Sequence, residues 1–173
     1  MSKYKIIEEK LKYSGKISKF YSQKILLPNK KKIDIDILKQ QDAVAILAIT
    51  EEKKILLVKQ HRFGANKEMV EIPAGYVDEN ESYQSAVKRE LLEETGYEAK
   101  KIKKIFAVYT SPGIATSKLI LFFSENVKKI SKQNLDEDEF VEILELSFKE
   151  FFENNFEDSK TLLAREFLKN IVK

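Results

Sequence analysis

Cysteine is absent from the 173 residues. That excludes disulfides, thiol nucleophiles, iron–sulfur clusters and every cysteine-ligated zinc site. Histidine occurs once, as His61. A His–His metal pair within the chain is therefore impossible, and a Ser-His-Asp triad could be built only on that residue. No run approaches the roughly 18 apolar residues of a membrane-spanning helix. The opening Met1-Ser2-Lys3-Tyr4-Lys5 carries no long apolar stretch either, so no export leader is expected and a cytoplasmic protein is the expectation. Five glycines and three prolines leave no Pro/Gly/Ser-rich linker. Charge of one sign is scarce too: 31 Lys+Arg against 28 Asp+Glu give +3. No nucleic-acid partner follows from that balance, and runs such as Lys30-Lys31-Lys32 read as solvated surface. The chemistry left open runs on carboxylates, lysine, arginine, tyrosine or a metal held by oxygen.

What is present is enough apolar residue, 43%, for one full domain with a core. Residues 16–38 read as two strands joined at Pro28-Asn29-Lys30, because Ile33, Ile35 and Ile37 alternate with Asp34 and Asp36. Residues 43–50 are nearly all apolar, as in a strand buried on both faces, and pair with 55–60 as a hairpin. A short strand over 69–72 stops at Pro73-Ala74-Gly75. Helical spacing runs from Ser82 to Thr95 and ends at Gly96, a helix C-cap position. Strands over 102–109, 119–123 and 140–146 follow, then helices over 148–153 and 159–172. Leu162, Leu163, Phe167, Leu168, Ile171 and Val172 make the packing stripe of the last one. The sum is an α+β layered domain with a mixed sheet.

The informative segment is residues 75–97. At about 100° per residue, Glu90, Glu93 and Glu94 share one helix face with no lysine between them. Their charges repel, and Glu93 and Glu94 sit near the helix C-terminus, where the macrodipole disfavours them. A divalent cation turns that repulsion into ligation, and hard Mg²⁺ binds through a few carboxylates plus substrate phosphates. The bland alternative is a solvated helix whose glutamates pair with nearby lysines. Against it stand Gly75 at a strand end, Gly96 closing the helix, and Arg89, able to hold a glutamate through two hydrogen bonds.

Gly75, Glu81, Arg89-Glu90-Leu91, Glu93-Glu94 and Gly96-Tyr97 keep the identities and spacing of G-x5-E-x7-R-E-U-x-E-E-x-G-U, where U is a bulky apolar residue. The segment resembles the box of the Nudix hydrolases, and the order of strands around it is similar to that family's α/β/α sandwich. The resemblance implies Mg²⁺-dependent hydrolysis, with Mn²⁺ a substitute, of a nucleoside diphosphate linked to another group. It implies Glu90, Glu94 and the Ala74 carbonyl as metal ligands, and Glu93 as a second-metal or water-activating residue. Arg89 and Glu81 are then orienting residues.

More of the chain resembles the ADP-ribose pyrophosphatase branch. Val58-Lys59-Gln60-His61-Arg62 is similar to its Val-x-Gln-x-Arg segment, and Glu71-Ile72-Pro73-Ala74-Gly75 to its Glu-x-Pro-Ala-Gly entry into the box. Pro112, 16 residues after Gly96 in Ser111-Pro112-Gly113, matches the branch's mark of ADP-ribose preference. Leu135 to Glu139 resembles its late acidic turn. The implied substrate contacts are Arg62, Glu71, Pro112 and Gly113, and the implied reaction gives AMP and ribose 5-phosphate. Residues 1–40 are then an antiparallel β-hairpin extension exchanging strands in a homodimer, and 41–173 the hydrolase domain. Two departures stand out. Lys30 replaces a glycine often found in the first turn, and Ser117 stands where the branch carries a glutamate proposed to handle the attacking water. An unactivated serine is no base near neutral pH, so the base falls to Glu93, to another acid or to metal-bound hydroxide. The competing expectations are another substrate (an ADP-sugar, NADH or a damaged nucleotide) and, from a different class, a weakly catalytic nucleotide sensor.

Overall fold

The structure is a computed structural model describing residues 3–172. Its chain divides into two compact units, Met1–Asp42 with Val108–Lys118, and Ala43–Ala107 with Leu119–Lys173.

The first unit carries a three-stranded antiparallel sheet in the order β1 (Lys5–Ser14), β2 (Ser18–Leu26), β3 (Lys32–Gln40). The sequence predicted two strands here. β1 escaped notice because it is charged and almost wholly exposed, as befits an edge strand. The turn between β2 and β3 holds Lys30 at φ 63°. The carbonyl of Leu27 accepts from the Lys30 N–H at 2.9 Å. A lysine thus occupies the left-handed region that glycine enters without cost. The segment 110–117 is laced to β3: Leu38 N–H donates to Ile114 O at 2.8 Å and Thr116 N–H to Leu38 O at 3.0 Å.

The second unit is built on a mixed sheet. Its main path runs β11 (Val141–Leu146), β5 (Ile55–Arg62), β4 (Ala43–Thr50), β10 (Lys118–Lys129), β8 (Tyr97–Glu98). β6 (Lys67–Glu71) pairs with β5, β7 (Ala74–Tyr76) with β4 and β9 (Lys103–Tyr109) with β10. β4 and β10 are parallel; the other recorded pairings are antiparallel. β10 runs further than the 119–123 expected. Asn126 at φ 56° forms a bulge between Glu125 and Val127, so the strand continues as a polar ribbon.

Helices cover both faces, as the sandwich reading expected. Val44, Ile46 and Ala48 of β4 join Ala86, Val87 and Leu91 of α1 (Tyr83–Thr95) in one core cluster. The opposite alternation of β4 is also buried, and α3 (Ser159–Ile171) packs against that strand. There Phe123 meets Phe167 edge-on at 5.5 Å. Leu168 is buried while Ile171 and Val172, at the end of the expected stripe, are exposed. α2 (Phe148–Glu153) opens with a capping box, Ser147 and Glu150 each bonding the other's backbone N–H. Among the described residues no helix is long and apolar enough to cross a membrane.

Candidate functional site

The site is built on α1 and the strand end that faces it. Ser82 caps the helix by accepting from Ser85 N–H, and Gly96 ends it at φ 74°, donating to Leu92 O at 2.7 Å. α1 packs on β7. There Gly75 makes room for Glu90: a Cβ on Gly75 would lie 2.0 Å from the Glu90 Cδ. The next turn brings Glu94 to the same strand end, where Ala74 N–H donates to it at 3.0 Å. The Ala74 carbonyl, the ligand that the resemblance implies, belongs to the same strand end.

Arg89 organises the acids. Its Nε and Nη2 close a two-bonded fork on Glu81 at 3.1 and 2.9 Å. Its Nη1 donates to Glu90 at 2.9 Å and to Glu93 at 3.0 Å, and Nη2 also reaches Tyr76 O at 3.0 Å. Glu81, expected to orient, is the carboxylate on which this guanidinium is anchored.

One arginine does not balance the cluster. Burial lifts the Glu94 carboxyl to about 8, eased by the Ala74 N–H and reinforced by the neighbouring Glu90 charge. Burial likewise lifts Glu90 to about 7, against the pull of Arg89. Glu94 is only 4% exposed. These are oxygen donors held out of water with negative charge only partly answered. Among the described residues no group of three acids or histidines converges into a ready metal cage. Glu90 and Glu93 turn to Arg89 and Glu94 to Ala74. Even so, the donor set fits a hard divalent cation, with Glu90, Glu94 and half-exposed Glu93 as the residues that could hold it.

The sequence reading assigned no role to Glu139, in the acidic turn. Its charge raises both Glu90 and Glu94. Gln133 ties that turn down, its amide donating to Glu94 O at 2.6 Å and to Val141 O at 2.9 Å, while Asn134 N–H donates to Glu93 O. The signal available in the sequence was the run Asp136 to Glu139 itself.

Arg62 and Glu71 lie beside this cluster. Gln60, two residues before Arg62 and on the same face of β5, reaches Glu94 at 3.5 Å. Arg62 Nε donates to Glu71 at 2.6 Å. Glu71, expected to accept from nucleotide or a water, is 1% exposed, and its other oxygen is held by Lys160. Lys160 was also missed. Pro112, Gly113 and Ser117 belong to the other unit. Pro112 and Gly113 are exposed, whereas Ser117 is buried with its hydroxyl 3.5 Å from the Gln40 amide oxygen. His61 is an exposed strand residue set edge-on to Phe63.

A family model of the NUDIX domain matches residues 39–168. The chain belongs to the Nudix family. Among relatives of this Nudix hydrolase is the ADP-ribose pyrophosphatase of Bacillus subtilis (strain 168), 41% identical over 95% of this chain and 91% of that one. The methanol dehydrogenase activator of Bacillus methanolicus is 37% identical over the same shares. The GDP-mannose pyrophosphatase of Escherichia coli (strain K12) is 32% identical over 73% and 72%. The crystal structure of an ADP compounds hydrolase superposes with a TM-score of 0.83, covering 99% of this chain and 97% of that one at 20% identity. That likeness bears on the fold.

Proposed function

We propose that this Nudix hydrolase cleaves the pyrophosphate bond of ADP-ribose to give AMP and ribose 5-phosphate, with Mg²⁺ or Mn²⁺ bound. The observation that carries the reading is the set Glu90, Glu93 and Glu94, arranged by Arg89 around Gly75, in a chain 41% identical to an ADP-ribose pyrophosphatase. Glu90, Glu93 and Glu94 would hold a divalent cation, which would neutralise pyrophosphate charge and acidify a water. Glu81 keeps Arg89 in place, and Arg89 Nη1 holds the carboxylates of both Glu90 and Glu93. Arg62, anchored through Nε alone, has its two terminal nitrogens open to a phosphate oxygen pair. Ser117 donates into an amide and does not serve as the base. Glu93 takes the proton of the attacking water, and Glu139 is the second acid within electrostatic reach.

A screen of ADP-ribose, ADP-sugars, NADH and nucleoside triphosphates with Mg²⁺ and Mn²⁺, resolving products, tests the substrate. AMP plus ribose 5-phosphate is expected; turnover of a triphosphate alone would sink it. Glu93→Gln is expected to lower kcat by about 10²- to 10⁴-fold with metal still bound. Unchanged turnover would move the base to Glu139. The second reading, a different nucleoside diphosphate derivative, is favoured by Ser117 and by the 32% identity to a GDP-mannose pyrophosphatase.

We also propose that the N-terminal strands pair two copies. Ile6–Ile25–Ile33 and Leu11–Tyr21–Ile37 are lateral neighbours across the first sheet. Tyr13, Leu11, Ile6, Ile17 and Ile33 are exposed, Tyr13 by 68%. A single copy leaves that surface wet. A sedimentation mass of twice 20.1 kDa is expected, and one chain's mass at micromolar concentration would refute it.

A further inference from the structure

Three charged groups behind Arg62 form a chain. Glu71, on β6, offers one oxygen to Arg62 Nε at 2.6 Å and the other to Lys160 Nζ. Lys160 also pairs with Asp158 at 2.9 Å and is 12% exposed. Asp158 caps α3, accepting from Thr161 N–H at 2.9 Å and Thr161 Oγ1 at 2.6 Å, while Thr161 Oγ1 accepts from Ile72 N–H at 3.0 Å. Lys160 is thus fixed by its own helix turn, and that turn is bonded to the strand leading into the site.

We infer that Lys160 is a positioning residue: by occupying one oxygen of Glu71, it stops Arg62 from closing a two-bonded fork on that carboxylate and keeps its terminal nitrogens available to a diphosphate. The molecule contains the comparison. Arg89, facing Glu81, donates to it through both Nε and Nη2. Arg62, facing Glu71, donates through Nε alone, and among the described residues its terminal nitrogens carry no hydrogen bond. The two arginines differ in what the second carboxylate oxygen is doing. Glu81 gives it to the guanidinium, although Asp78 N–H also donates there at 3.2 Å. Glu71 gives it to a buried cation. A bidentate pair is the preferred geometry of arginine with a free carboxylate. Removing Lys160 therefore releases the oxygen that Arg62 would take, at the expense of the anion.

The inference rests on the reading that Arg62 meets the diphosphate, and two measurements keep the two separate. One is KM and kcat for ADP-ribose; the other is inorganic pyrophosphate affinity by calorimetry, which needs no turnover. Lys160→Met is expected to raise both KM and the pyrophosphate Kd by about 10- to 100-fold, the worth of one charge-assisted hydrogen bond, with kcat within about threefold. Adding Glu71→Gln leaves a single acceptor oxygen, so no fork can close, and KM and Kd are expected to return to within about threefold of the unmodified protein. A generic structural role would not give that recovery. Unmoved KM and Kd in Lys160→Met, a loss confined to kcat, or a double variant no better than the single would each overturn the inference. If thermal melting shows Lys160→Met unfolded, the double variant, in which residue 71 no longer buries a carboxylate charge without its lysine, carries the test: near-normal Kd supports it and a tenfold rise overturns it. Failure to cleave ADP-ribose would defeat the substrate reading alone, with the pyrophosphate titration still deciding the role of Lys160.

Discussion

Replacing Gly75 by alanine should separate activity from stability. The backbone at Gly75 is outside the positive-φ region, where Gly96 alone among the glycines lies. Alanine is therefore allowed, and it restricts the unfolded chain by about 0.4–1 kcal/mol in favour of folding. The new methyl carbon, however, would fall 2.0 Å from Glu90 Cδ and 2.2 Å from both of its oxygens. The three nearest atoms all belong to the end of this one flexible side chain, so the carboxylate swings aside and gives up its 2.9 Å bond to Arg89. That ion pair is partly solvated, worth about 1 kcal/mol or less. The two terms nearly cancel, so net stability should stay within about 1 kcal/mol. Activity should not: a reacting group displaced by an ångström or more costs on the order of 10²-fold. Gly96→Ala should do the reverse of sparing the fold. Its φ of 74° is left-handed, and the Cβ would sit 2.2 Å from the Ser131 carbonyl oxygen. Strain plus a backbone clash should cost about 2–4 kcal/mol. Urea unfolding beside kcat/KM for ADP-ribose, with a Mg²⁺ titration, reads both. A Gly75→Ala protein with full kcat/KM would refute the assignment of Gly75 as the space for a working Glu90 carboxylate.

Without metal, stability should fall with rising pH. Glu90 and Glu94 keep protons up to about 7 and 8, against an ordinary 4.5. Their contribution is fully present below about pH 4.5 and is lost as pH climbs through those values, by on the order of a few kcal/mol. Thermal melts with EDTA and with saturating Mg²⁺ should diverge from pH 6 to 9; a pH-independent metal effect would contradict the charge account. Lys30→Gly should stabilise by about 1 kcal/mol in urea, because φ 63° penalises lysine, and a loss of stability would show the turn is held otherwise. Ser117→Ala should keep kcat within about threefold, since a base is worth 10²-fold or more; a drop of that size would place the hydroxyl in proton transfer.

The fold was legible where burial writes a pattern. Alternating Ile33, Ile35 and Ile37, the apolar β4, and a helix bounded by Ser82 and Gly96 all carry local signals that packing then uses. β1 and β8 were not legible. The residues of β1 are exposed and largely charged, so nothing about its composition distinguishes a strand from a surface loop. β8 is two residues long and exists because Lys128 and Lys129 of β10 are there to pair with it.

The site divides along the same line. Its carboxylates lie on one helix within five residues, and their shared face and mutual repulsion can be read from spacing alone. Arg89 is legible for the same reason, as a neighbour at i+1 and i+4. The cationic side is different. Lys160 meets Glu71 across 89 positions, and its run, Asp158-Ser159-Lys160-Thr161, reads only as the start of a helix. Helical spacing encodes which acids can share a cation. It does not encode which carboxylate oxygen an arginine is denied, because that depends on where α3 lands. Acid identity in this site is thus a local property of sequence, whereas the availability of Arg62 is a tertiary one. Substitutions in the first turn of α3 should accordingly change how tightly an anion is held while leaving the acidic helix as it is.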